Sequence, residues 1–224
     1  MIGYGKNRHS VTAWPVEADA RSALEKYLDA RSASDGPDLV GDQYDFRGAD
    51  LTGLDLAGAY LFGACLDGVR LVHADLRGAT LIGADLNRAN LSGADLTKIE
   101  ASEIAAEGAA MRAAHLFAAE FDRAVLSDAD FRDAFLNSAV FLAADLRRAD
   151  LRGASLRYCG FGPDDGPARL AGARLAGSFV TGARGHVVGP VDVGSGTEPD
   201  LIDGAALAEW FAANGAPDVT VLSG

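Results

Sequence analysis

The sequence predicts an all-β solenoid, a four-sided β-helix with short α-helical caps at both ends. Three observations carry that expectation. Every fifth residue from Phe46 to Phe161 is apolar, 24 in succession without a slip. The residue two before each is Ala in 18 of the 24 units, the exceptions being Tyr44, Leu54, Val69, Ile99, Ile104 and Cys159. Gly recurs at the last position of the unit, as at Gly48, Gly53, Gly58, Gly63 and Gly68. A period of five fits neither a strand nor a helix, and an internal repeat outranks local propensity as a guide to fold. One large and one small inward residue per five mean that the chain turns after each unit. Four units then close a square, with the large side chain at its centre, Ala where the backbone bends, and Gly where the turn needs permissive angles. Stacked squares pair backbone to backbone at roughly 4.8 Å per turn, so the six coils from Tyr44 to Pro163 are about 29 Å tall.

Residues 1–43 precede this block. Pro15 leads into "VEADARSALEKYLDARSA", with acids early and Arg late, as a helix dipole favours. Ala20, Leu24, Tyr27 and Leu28 share one helical face. We expect a helix from Glu17 to Ser32 that covers the first coil, whose core would otherwise be open. "SASDGPDLVGD" reads as the linker.

Coils one to three hold the cleanest repeats, and here the residues carry a resemblance. "ADLTG", "ADLRG", "ADLNR", "ADLSG" and "ADLRR" resemble the Ala-Asp/Asn-Leu-X-X unit of the pentapeptide-repeat family, over more than half of the chain. The resemblance implies a right-handed, four-sided β-helix. It implies less about function, because a fold hosts many. Asp55, Asp75 and Asp95 are spaced by 20 and should form a ladder up one face. Such an Asp can bond turn amides, or the ladder can serve as an acidic stripe for a basic partner.

"KIEASEIAAEGAAMRAAHLFAAEF" departs from the pattern, with Ile99 and Ile104 in the Ala column and Ala101 and Ala106 in the Leu column. The period survives on both sides, so the segment belongs to the coil, with volumes exchanged between neighbouring inward sites and a local distortion expected. In coils four to six, outward positions turn apolar at Phe117, Phe135, Val140 and Leu142. Phe62 and Ile82 lie below Leu142 on one face. A patch of this kind suggests self-association, a homodimer or a docked helix. Arg112, Arg132 and Arg152, also spaced by 20, form a column that either meets a partner or is paired with Asp130, Asp133, Asp145 and Asp150.

Asp164, Asp165, Gly166 and Pro167 shift the period by four residues, and "ARLAG ARLAG SFVTG" resumes it at Ala168. They should form a small loop on a continuing coil that ends at residue 183. Residues 184–224 read as a C-terminal cap: a short strand in "HVVGPVDV", a helix from Leu201 to Ala213 stopped by Gly215 and Pro217, and a last strand in "VTVL". Trp210 and Phe211 should bury against the last coil.

The formal charge is −12, which disfavours direct nucleic-acid binding. The 24 units themselves carry 17 acidic and 12 basic residues, so the solenoid is only mildly acidic. Cys65 and Cys159 lie 94 residues apart, over 20 Å along the coil axis at roughly 4.8 Å per turn, too far for a disulfide. "MIGYGKNRHS" lacks the apolar core of a signal peptide, and no apolar run is long enough to span a bilayer. The expectation is a cytoplasmic protein.

No catalytic constellation appears. His9, His73, His115 and His186 lack metal-ligand spacing, and there is no phosphate loop or nucleophile elbow. We expect no enzyme activity, no cofactor and no metal. The resemblance implies one concrete activity: some members protect DNA gyrase from quinolones or from a producer's own toxin, as dimeric rods whose width and acidic surface mimic duplex DNA. Some use loops thrown out from the coils. On that reading Asp55, Asp75, Asp95, Asp164 and Asp165 face the enzyme. The alternative is a protein-interaction scaffold with no topoisomerase role, working through the Arg112, Arg132, Arg152 column or the apolar face.

Overall fold

The computed structural model describes residues 8–31 and 38–223. Its body is a β-helix. Each bridging residue pairs in parallel with the residue 20 further on, from Val40 with Tyr60 through Val140 with Gly160. A coil therefore takes four five-residue units. Four backbone bonds hold a typical unit, one of them from the turn residue to the next coil (Gly83 to Ser102, 2.9 Å). The central residue donates to a carbonyl in the next coil (Leu86 to Ala105, 2.6 Å). The bridging residue donates to the coil below (Asp85 to Ala64, 2.9 Å). The fourth bond closes the turn (Ala84 to Leu81, 2.9 Å). The central residues from Phe46 to Phe161 and the column beside them from Ala49 to Cys159 are buried in one continuous core, with Tyr44 partly buried against it.

The turn explains the glycines. The residue two after each central position has positive φ in every unit from Gln43 to Tyr158. From Gln43 to Gly93 most of these residues are glycine, but from Lys98 to Tyr158 only Gly108 and Gly153 are. The remainder, such as Ala113 at φ 53° and Ala118 at 54°, hold a left-handed conformation that disfavours a Cβ.

The ladder begins before Tyr44. Val40 bridges Tyr60, and Leu39 is buried. Gly41 stands at a central position: a Cβ there would lie 2.6 Å from the Phe46 ring, which fills the space. Leu39 in the small column and Gly41 in the large one thus exchange volumes. The segment around Ile99 and Ile104 keeps its register, with Glu100 bridged to Glu120 and Ala105 to Val125. The distortion expected there shows in the turn bonds, lengthened to 3.3 Å at Ile99 and absent at Ile104.

Helix α1 spans Ala18–Arg31. Ala20, Leu24 and Leu28 join the solenoid core. The Tyr27 hydroxyl donates to the Asp55 carbonyl, and the Asp45 amide donates to the Glu17 carboxylate at 2.7 Å. The expected Ser32 end lies outside the described residues.

After Gly160 the bridge spacing becomes 24, as in Asp145 with Arg169, so four residues are inserted there. The Gly166 carbonyl accepts from Ala143, while Gly162 accepts from His186 in the coil above. Two carbonyls four residues apart thus serve the two neighbouring coils at one corner. The coil then continues past Gly182. Strands β1 (Ala168–Arg169) and β2 (Ala173–Arg174) pair in parallel with β3 (Arg184–Val188) and β4 (Val191–Asp192). Strand β5 (Leu201–Ile202) turns antiparallel onto β4. Leu201 and Ile202 are therefore strand, a correction to the expected helix start: helix α2 covers Gly204–Ala213, and the Asp203 carboxylate accepts from the Gly204 amide at its N-terminus. Strand β6 (Asp218–Leu222) pairs in parallel with β3. Phe121, Phe141 and Phe161 stack up the core at 5.5 and 6.1 Å between ring centres, and Phe211 of α2 meets Phe161 edge-on at 6.2 Å. Trp210 is partly buried beside it.

Candidate interaction surface

The outward side chains follow the ladder, so each face is a set of columns fixed by the coil. Asp55 pairs with Asp75 and Asp75 with Asp95, as the spacing of 20 requires. The carboxylates point back to the turn. Each accepts the amide two residues on, at 3.4 Å for Ala57 and 3.1 Å for Arg77 and Thr97. Asp75 is 1% exposed and Asp55 8%, with Asp95 half-buried. This corrects the reading of the ladder as a presented acidic stripe: two of its three members are buried. An Arg two residues on closes a second bond, as in Arg77 to Asp75 at 2.8 and 2.6 Å.

The same Asp-x-Arg clamp dominates the arginine column. Arg132 holds Asp130 at 2.5 Å and reaches Asp150 of the next coil at 3.8 Å. Arg152 holds Asp150 at 2.5 Å, and Arg112 holds Asp133 at 3.3 Å. Hydrogen bonding from Arg132 holds the Asp130 carboxyl below the usual carboxylate range despite its partial burial. At Asp145 and Asp150 burial pushes upward, but bonds from Arg147 and Arg152 outweigh it and the net shift is down. The arginine column is thus a ladder of ion pairs within and between coils.

The apolar candidates divide. Phe62, Phe117, Phe135 and Val140 are exposed, while Ile82 and Leu142 are half-buried. Phe135 stacks on His115 with ring centres 4.9 Å apart. Asp164 and Asp165 are exposed on the inserted loop. Spacing by 20 does not find Tyr158 and Phe179, exposed aromatic residues of the same half. The four-residue insertion moves Phe179 out of the count, and Tyr158 occupies a positive-φ turn position rather than one of the columns read by that spacing.

Among the described residues no cluster of His, Cys, Asp and Glu is arranged to hold a metal. Cys65 and Cys159 are free, and burial pushes the Cys159 thiol up to about 12. Among the described residues no helix is long and apolar enough to cross a membrane.

A family model for pentapeptide repeats matches eight copies, over residues 45–78, 64–99 and 119–157. Comparison with curated protein sequences returns no match. Solved structures do match. A trypsin-treated form of QnrB1, a plasmid-mediated fluoroquinolone resistance protein, aligns at a TM-score of 0.53 and 18% identity, over 83% of this chain and 84% of that one. A second trypsin-treated form gives 0.50 and 19%, over 77% of each chain. HetL, a pentapeptide-repeat protein involved in heterocyst differentiation regulation in the cyanobacterium Nostoc, is 27% identical over 70% of this chain and 80% of its own, with a TM-score of 0.33.

Proposed function

This chain is a pentapeptide-repeat protein with a right-handed β-helical fold, and from that premise we propose that it is a non-enzymatic rod that binds another protein. The observation that carries the reading is the unbroken ladder from Val40 to Arg184. It holds the outward columns in fixed register on convex faces, which suits a large partner surface better than a small-molecule pocket. We take the coil as four-sided, with one unit per side. Helices α1 and α2 act as caps beyond the coil, which itself includes Val40 to Gln43 and runs on into β3 and β4, because α1 and Phe211 of α2 extend the core at its two ends.

The partner we propose is a type II topoisomerase such as DNA gyrase, with the protein acting in the cytoplasm to protect that enzyme from a drug or toxin. The fold shared with QnrB1 and the charge of −12 support this reading. Of the acidic candidates, the exposed loop carboxylates Asp164 and Asp165 and the half-buried Asp95 remain accessible for it. The test is a supercoiling assay of purified gyrase titrated with the protein, with and without a fluoroquinolone. Inhibition at micromolar protein, or rescue from drug-induced cleavage, is the expected result. No effect in either arm removes gyrase as the partner.

A second reading, a scaffold with no topoisomerase role, is favoured by one observation: the buried Asp55 and Asp75 and the paired arginines leave no continuous single-sign stripe on those columns. Both readings allow self-association through the exposed Phe62, Phe117, Phe135 and Val140. Sedimentation velocity measures that directly.

A further inference from the structure

One face changes character halfway along the rod. Its bridging column runs Asp55, Asp75, Asp95 and then His115, Phe135, Ser155, Phe179. The turns beside the second set contribute Phe117, Asn137, Arg157 and Tyr158. From His115–Ala118 through Phe135–Ser138 and Ser155–Tyr158 to Phe179–Gly182 this face contains no Asp or Glu, in a chain of net charge −12. Four aromatic side chains stand out from it: Tyr158 at 65% exposure, Phe179 at 52%, Phe117 at 47% and Phe135 at 46%.

Its arginines also differ from their neighbours. Arg147, Arg148, Arg152, Arg169 and Arg174 each hold a carboxylate. Among the described residues Arg157 and Arg184 hold none. Arg157 lies over the Phe179 ring, 5.4 Å from its centre, a stacking that leaves the edge of the guanidinium free to donate. Arg184 comes from the neighbouring column, where Asp218 of β6 pairs beside it in the ladder, and faces Tyr158 across a groove of about 370 Å³ that Gly160 and Gly182 also line. The Tyr158 ring lies close over Gly182, where a Cβ would come within 2.5 Å of it.

We propose that this aromatic face and the groove at its edge dock an acidic protein segment carrying an aromatic or apolar anchor. Arg157 and Arg184 take its carboxylates, and the groove beside Tyr158 takes the anchor. Charge complementarity selects this occupant. Two unpaired cations beside exposed aromatics match acidic side chains next to an apolar one. The inference rests on the reading as a protein-binding rod but not on the topoisomerase as partner.

The probe is a fluorescein-labelled copolymer of glutamate and tyrosine, titrated with the full chain and read by anisotropy, with polyglutamate and a thymidine oligonucleotide alongside. Saturable copolymer binding is expected, weaker for polyglutamate. Arg157→Glu with Arg184→Glu should weaken it about tenfold, and Tyr158→Ala with Phe179→Ala by about as much. All four sites are exposed, so circular dichroism should not change. Phe62→Ala, on another face, should leave binding intact. The proposal fails if the wild type does not bind the copolymer, if both double variants bind as the wild type does, or if the oligonucleotide binds more tightly. Self-association abolished by Tyr158→Ala would also overturn it, by assigning the face to a second copy. Copolymer binding with no effect on supercoiling would retire the topoisomerase and keep the face. Inhibited supercoiling without copolymer binding would retire the face alone.

Discussion

Ala113, Ala118 and Ala143 sit at φ between 53° and 54°, where a methyl group crowds the following carbonyl. Ala118→Gly should relieve about 1–2 kcal/mol of that strain and lose about 0.4–1 kcal/mol to the freer unfolded chain. A net gain of about 0.5–1 kcal/mol in urea unfolding is the expected outcome. Gly53→Ala should do the reverse by a similar amount, since nothing lies within 4 Å of the new methyl and only the angle of +66° opposes it. The aspartates add a pH dependence. Hydrogen bonding from Arg47 and Arg132 lowers the Asp45 and Asp130 carboxyls. A depressed folded value contributes stability that is present above the unfolded value near 4 and lost as pH falls through the folded one. Calorimetry should therefore find a melting temperature that is level between about pH 5 and 8 and drops below about pH 4; a drop between neutral pH and pH 5 would contradict the clamps as its source. At this scale the inward columns were legible because the period states them outright. The burial of Asp75 was not, because it depends on the coil stacked above and on the Arg77 side chain folding back.

At the scale of elements, cores and caps set the terms. Leu86→Asp buries a carboxylate mid-solenoid with no partner; loss of the folded circular dichroism signal is expected, and a soluble variant with an unchanged spectrum would refute the inward register. Phe211→Ala should destabilise by about 3–5 kcal/mol, because its ring ends the Phe121–Phe141–Phe161 stack. Removing Asp164 to Pro167 restores the spacing of 20 and should shift thermal unfolding by only a few degrees, since about 1 kcal/mol of corner bonding is at stake; a fall of more than about 10 °C would show that the loop supports the coil. Sequence patterning placed the start of α1 within a residue, at Glu17 against Ala18, but missed the start of α2. Leu201 and Ile202 suit either element by hydrophobicity, and only the Asp203 cap decides. Gly41 was passed over for a related reason: a glycine at a central position looks like the end of a repeat until the Phe46 ring is seen to fill it.

For the whole molecule, stability should build by contacts between neighbouring coils, since each coil touches only the next. The two halves present different surfaces on this common frame. The first half fills most of its turns with glycine, and the second carries side chains at nearly all of them. The corner after Gly162 adds a further property. With Gly162 serving the coil above and Gly166 the coil below, neither neighbour constrains what lies between them. A longer stretch of chain inserted at that junction would leave every rung where it is. The rod therefore has a built-in port at which new recognition segments can be grafted, by evolution or by design, without rewriting the repeat.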